Sequence, residues 1–197
     1  MNDSLKVIDK VLKKADIRYA VLDLEEKSCR ILISPDKKND LIMAASGSGW
    51  KKLKDKSKDI YLYGMDHFLY YIVNDIKLTV CFQLACRSTL NGEWVPLDRK
   101  INNFAMDRIV KAEGLDTYEP MPEDFLCYLL AKCVYTEKGF SEYDKKRITE
   151  CSKRVDTNIL MPKIEGVFFH FSETMLKMID EGDFEHIIEA LWRYADY

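Results

Sequence analysis

The chain has 197 residues, 47% of them hydrophobic and 12% aromatic, which supplies one substantial core, or a small domain with a helical companion, and excludes a disordered polypeptide. Thirty Lys and Arg against 33 Asp and Glu leave a net charge of -3, so there is no overall basic field for holding nucleic acid. No run approaches the roughly 18 apolar residues of a membrane helix, so membrane insertion is not expected.

The opening segment MNDSLKVIDKVLKKAD alternates apolar with charged residues, unlike a secretory leader. Leu5, Val7, Ile8, Val11 and Leu12 recur at helical spacing, which predicts a helix to about Ala15 with Asp3 or Ser4 capping its first amides. Arg18 to Leu24 and Cys29 to Ser34 are short, apolar and rich in β-branched residues, so they predict neighbouring strands joined by a charged turn. Pro35 and Asp36 can start a helix over Lys38 to Ala45, ended by Ser46-Gly47-Ser48-Gly49. Ile60 to Tyr63, Phe68 to Val73 and Ile76 to Phe82 predict further strands, the last two joined by an Asn74-Asp75 hairpin turn.

After Trp94-Val95-Pro96 the spacing becomes helical. It predicts helices near Asn102 to Ala112, Pro122 to Tyr135, Ser141 to Arg154, Ile164 to Glu181 and Phe184 to Tyr194. Pro122 followed by Glu123 and Asp124 suits a first helical turn, and Gly139 and Gly182 separate helices. The fold class expected is α+β: a mixed sheet with flanking helices over residues 1–95, then a mainly helical part over 96–197 packed on it. The boundary falls near residues 95 to 120.

This organisation, with LKVIDKVLKKADIRYAVLDL, CRILISPDKKNDLIMAASGSGW, NDIKLTVCFQL and PEDFLCYLLAKCVYTEKGFSEYDKKRITE, resembles the DNA polymerase β-type nucleotidyltransferase superfamily. Within it the chain is similar to a bacterial branch associated with surface-polysaccharide gene clusters. The likeness spans roughly residues 5 to 192 and rests on element order, hydrophobic positions and the Trp and Pro-Glu landmarks. It implies a nucleotidyltransferase-like sheet and, in active members, a Gly-Ser or Gly-Gly turn after the first strand. It also implies an acid-apolar-acid pair on the second strand and a third acid on a later one, which together hold magnesium and triphosphate.

Carried onto this chain, that pattern finds Glu25-Glu26-Lys27 in place of the glycine turn. Ser28 and Arg30 stand where the acid pair belongs, and Thr79 stands at the third acid. Two hydroxyls and a guanidinium cannot replace three anions around magnesium, because Arg30 adds positive charge and hydroxyls coordinate weakly. Asp23, Glu25 and Glu26 are the nearest alternative carboxylates, grouped at a strand end.

Other candidate groups carry weaker signals. Cys81 to Arg87 has the cysteine, five residues, arginine spacing of thiol phosphatases, but Phe-Gln-Leu-Ala-Cys continues an apolar strand instead of forming a glycine-rich phosphate loop. The six cysteines lie in apolar segments without C-x-x-C pairs and read as buried thiols of a reducing compartment, which predicts a cytoplasmic location. His67, His170 and His186 lack metal-ligand spacing; His170 reads as an interior or edge residue and His186 as solvent-facing. Lys51, Lys52, Lys54, Lys56 and Lys58 are interrupted by Asp55 and Asp59 and have no stacking aromatics, so they read as a solvated segment. Asp144-Lys145-Lys146-Arg147 reads as an exposed helix face. Tyr61, Tyr63, Phe68, Tyr70, Tyr71 and Phe82 read as sheet core, with a ligand cleft as the alternative.

The function expected is a catalytically silent nucleotidyltransferase-fold protein. It would bind a nucleotide, a sugar-phosphate or a protein partner of surface-polysaccharide metabolism, without a cofactor. One alternative is an active transferase acting on a small acceptor, with magnesium held by Asp23, Glu25 or Glu26. The other is an oligomeric module using the apolar C-terminal helices (Met175, Leu176, Ile179, Ile187, Ile188, Leu191).

Overall fold

Leu5, Ile8 and Leu12 fall on one helical face and are buried in α1 (Asp3–Lys14). The computed structural model describes residues 3–54, 60–62, 64–89, 91–97, 104–112 and 117–195. The side chains of Asp3 and Ser4, expected to cap α1, and residues Tyr63, Asp55, Lys56, Lys58 and Asp59 lie outside what is described. After α1 come β1 (Tyr19–Leu24), β2 (Ser28–Ile33), α2 (Lys38–Gly47), β3 (Lys51–Lys52), β4 (Leu69–Val73) and β5 (Ile76–Cys81). Next are β6 (Ala85–Arg87), β7 (Trp94–Pro96), the short helix α3 (Phe104–Asp107), β8 (Val110–Lys111) and β9 (Tyr118–Glu119). The helical run is α4 (Pro122–Ala131), a π-helical turn over Lys132–Glu137, α5 (Glu142–Ser152), α6 (Thr157–Phe168), α7 (Ser172–Glu181) and α8 (Phe184–Ala195).

The α+β class is as expected. Among the described residues, seven strands form one mixed sheet in the order β3-β4-β5-β2-β1-β9-β8. Pairs β1–β2, β4–β5, β3–β4 and β8–β9 are antiparallel, whereas β2–β5 and β1–β9 are parallel. Alternation along β2 and β5 sends Cys29, Ile31, Ile33, Leu78 and Val80 to one face, where they pack with Leu5, Ile8 and Leu12 of α1 and Leu41 and Ala45 of α2. Asn74 and Asp75 both adopt positive φ, 46° and 63°, the backbone that a two-residue hairpin turn requires.

Two compact units divide the chain: residues 1–84 with 99–121, and residues 85–98 with 122–197. The single boundary read from the sequence is thus replaced by three crossings, because the β6–β7 hairpin belongs with the helices and the β8–β9 pair with the sheet. Three element readings also change. Of Asn102 to Ala112, the described residues are helical only over Phe104–Asp107, since Val110 and Lys111 leave the helix to pair with Glu119 and Tyr118 at the sheet edge. Ile60 to Tyr63 supplies no strand among the described residues, only an isolated bridge at Tyr61. The long helix expected over Ile164 to Glu181 is broken at Phe169, which has φ 53°.

In the helical unit, Met175, Ile179 and Ile187 are buried, so the apolar stripe of α7 and α8 serves largely as core. Lys132 and Asp144 correct the reading of Asp144 to Arg147 as an exposed face. Both are buried, and Lys132 Nζ lies 3.0 Å from Asp144 Oδ1. Ser141 caps α5, its Oγ accepting from the Asp144 amide at 3.1 Å. Arg147 lies over the rings of Phe125 and Tyr143, at 5.0 and 5.1 Å.

Candidate functional site

The sheet face opposite α1 and α2 carries a row of polar side chains across four neighbouring strands. Parallel pairing of β2 with β5 sets Arg30 beside Thr79, and Ser28 beside Lys77. Antiparallel pairing of β4 with β5 sets Tyr70 beside Thr79. On the other side β1 pairs Asp23 with Arg30, through a register shift between Val21 and Asp23. That shift is a bulge: one extra residue, Leu22, lets Asp23 share the Arg30 face, whereas unbroken alternation would have turned it away. The row therefore reads Asp23, Arg30, Thr79, Tyr70, with Ser28 and Lys77 one step along the strands.

Burial grades along this face. Asp23, Thr79 and Tyr70 are buried, Arg30 and Ser28 are half-buried, and Lys77 is exposed. The two charges at the centre register on neighbouring thiols. Burial pushes the Cys29 thiol up to about 12, with the Asp23 carboxylate adding to the rise. Burial also pushes Cys81 up to about 11, while the nearby Arg30 guanidinium pulls the other way.

The turn after β1 is closed on itself. The Glu25 amide donates to the Ser28 carbonyl at 2.9 Å and the Lys77 amide to the Lys27 carbonyl at 3.0 Å. Ser28 Oγ donates to Glu25 Oε2 at 3.2 Å. Glu25 and Glu26 are exposed, the Glu25 carboxylate meeting the row at Ser28, so of the alternative acids Asp23 alone is buried in it.

The donor set does not suit magnesium. A hard cation asks for several converging oxygens, whereas the described part of this face presents one buried carboxylate opposite a guanidinium, with an ammonium one step away and the exposed Glu25 carboxylate accepting from Ser28 at its edge. Among the described residues, the trio of metal-ligand types whose ligand atoms lie within 4.8 Å of one another is Cys133, Glu137 and Asp144. That place is already taken by a cation: Lys132 Nζ lies 3.2 Å from Glu137 and 3.0 Å from Asp144. Burial, with the carboxylates Asp144 and Glu137, also raises the Cys133 thiol well above its ordinary value, which opposes the thiolate that a metal needs.

The remaining candidates take structural places. Cys81 is a buried strand residue, and Arg87 donates to the Gly92 carbonyl at 2.9 Å and stacks on Trp94 at 4.8 Å, which ties the β6–β7 hairpin together. His186 is exposed beside Asp183, with Nδ1 2.6 Å from its carboxylate. His170 is exposed rather than interior. Trp50 packs edge-on against Tyr71, and Phe68 against Tyr61 and Tyr70, with centroids 5.7 to 6.4 Å apart. Lys77 escaped the sequence reading, although its spacing of two from Thr79 places it on the same strand face.

No protein-family model matches the chain, and no curated protein matches it. Solved structures with a similar fold include the lincosamide antibiotic adenylyltransferase LnuA with lincomycin bound, at 12% identity and TM-score 0.48, covering 79% of this chain and 98% of that one. The antibiotic-resistance factor ANT(2'')-Ia aligns at 9% identity and TM-score 0.42, covering 98% and 96%. A candidate nucleotidyltransferase from H. pylori aligns at 12% identity and TM-score 0.28, covering 100% and 97%.

Proposed function

We propose that the chain is a nucleotidyltransferase-like protein that binds a phosphate-bearing ligand, a nucleotide or a sugar-phosphate, without metal and without transferring the phosphoryl group. The observation that carries this reading is the pairing of Arg30 with Thr79 and of Ser28 with Lys77 on one sheet face. Guanidinium, ammonium and the Thr79 hydroxyl form a donor set matched to phosphate oxygens, while the Ser28 hydroxyl donates to Glu25. Asp23, opposite Arg30, holds the guanidinium in orientation and competes with the anion for it. Nucleotidyl transfer needs the reverse arrangement, carboxylates holding cations that in turn hold the triphosphate. The same reading takes the polysaccharide pathway, any protein partner and a cytoplasmic location from the resemblance and the thiols.

The experiment is a thermal-shift series with ATP, CTP and a nucleotide sugar in chelator. The wild type is expected to gain thermal stability with at least one of them, and Arg30→Ala is expected to lose that gain while remaining folded. An equal gain in both proteins would remove Arg30 from the site.

A further inference from the structure

Within the helical unit, the π-helical turn, the α6–α7 junction, α7 and α8 enclose an open pocket of about 750 Å³, a size typical of small-molecule sites. Its walls include Tyr135, Phe168, Phe171, Met178 and Leu191, and its described lining contains no Asp, Glu, Lys or Arg. Besides Tyr135, His170 is the titratable side chain of that described lining, so a strongly charged ligand would find little fixed counter-charge there. The wall is also rigid. Tyr135 and Phe168 stack with centroids 5.3 Å apart and planes 13° from parallel, and the Tyr135 hydroxyl donates to the Val167 carbonyl at 3.0 Å.

Two local features point the same way. Phe169 ends α6 with φ 53° and ψ -142°, a conformation natural to glycine and strained for any side chain. Its ring gains no burial in exchange, being 73% exposed at the pocket rim. Glycine would make this chain reversal with less strain. The second feature is the π-helical turn over Lys132–Glu137, a rare form that inserts an extra residue into a helical turn and recurs at functional sites. Val134 and Tyr135, in the middle of this turn, both line the pocket.

We infer that this pocket is a binding site for a flat, uncharged ring compound of small-molecule size, held between the Tyr135–Phe168 stack and the exposed ring of Phe169. Stacking and apolar contact supply the attraction, while Thr89 and Thr174 offer hydroxyls at the margin. None of these residues belongs to the anion-binding row, so either site can fail without the other.

The test is a fluorescence titration of the full chain with N-phenyl-1-naphthylamine, a neutral double-ring probe. Saturable one-to-one binding is expected, with displacement by 2-naphthol. Thr174→Trp, at an exposed position of α7, sets an indole in the pocket and should weaken the probe by about tenfold or more with near-UV circular dichroism still that of a folded protein. Phe169→Gly relieves the strained turn, so its melting temperature should rise while probe affinity falls several-fold. Absence of saturable binding to the folded wild type, or undiminished binding in both variants, would overturn the site. Displacement by dodecanoate but not by 2-naphthol would overturn the assignment to ring compounds.

Discussion

Asp23 stands opposite Arg30 across β1 and β2 because β1 holds one residue more than its partner between Val21 and Asp23. Directly opposed side chains on one face have Cβ atoms about 5 Å apart, so the carboxylate steers the guanidinium and lowers its attraction for any other anion. Asp23→Asn should therefore tighten binding of a phosphate-bearing ligand by about threefold to tenfold, as removal of a competing charge implies. The same change should lower unfolding free energy by about 1–3 kcal/mol, because a buried polar group loses its charged partnership. Calorimetry and urea unfolding of the one variant read both effects; weaker anion binding would mean that Asp23 contacts the ligand's cation instead.

Lys77 gives a cleaner test of charge at the same face, since its side chain is exposed and its loss should not disturb the core. Lys77→Ala should weaken the anion by about threefold to tenfold at low salt and by less at high salt, because exposed charge is screened. Its melting temperature should match that of the wild type. A salt-independent loss would show that the effect is not electrostatic.

The Lys132–Asp144 pair predicts an acid-dependent loss of stability. Burial pushes the Asp144 carboxyl up, but hydrogen bonds from Ser141 and Lys132 and the charges of Lys132 and Arg147 outweigh it, so the net shift is below the ordinary carboxylate value. A depressed folded pKa stabilises the fold above the unfolded value of about 3.9 and is lost as pH falls through the folded value. Asp144→Asn should remove this pH-dependent contribution and cost about 1–3 kcal/mol at pH 7, since the buried Lys132 would keep Glu137 as its carboxylate partner. Urea unfolding from pH 7 down to about 3 checks this. An equal slope in both proteins over that acid range would contradict it.

The thiols should be silent. All six cysteines are free and buried, and burial raises Cys29 and Cys86 to about 12 and Cys81 to about 11, so almost no thiolate exists at these three positions at neutral pH. A disulfide-exchange reagent should react slowly with the native protein and with all six thiols after denaturation. Hydrolysis of p-nitrophenyl phosphate should be absent, and a rapid single-thiol reaction at Cys81 would reopen the phosphatase reading.

What could be read in the sequence followed local periodicity. Apolar, β-branched runs over Cys29 to Ser34 and Ile76 to Phe82 marked the strands, and the resemblance grouped Ser28, Arg30 and Thr79, which the period of two along paired β2 and β5 puts on one face. Asp23 was legible only as an alternative acid at a strand end, and its place opposite Arg30 was not, because a bulge changes the phase of alternation without leaving a sequence mark. Lys132 and Asp144 escaped because they lie on separate helical segments, and nothing in the DKKR run tells that its first residue turns inward. The helix expected over Asn102 to Ala112 failed where an edge strand competed for Val110 and Lys111. The break at Phe169 was invisible because phenylalanine carries no turn signal.

The central claim is that the row on β1, β2, β4 and β5 holds an anion and not a metal. Calorimetric titration of the full chain with ATP, CTP and a nucleotide sugar, each with magnesium and with chelator, tests it most directly. The account predicts binding of at least one ligand with the same affinity in both conditions, lost in Arg30→Ala. Binding that appears only with magnesium would contradict it and return Asp23, Glu25 and Glu26 to the role of metal ligands in an active transferase.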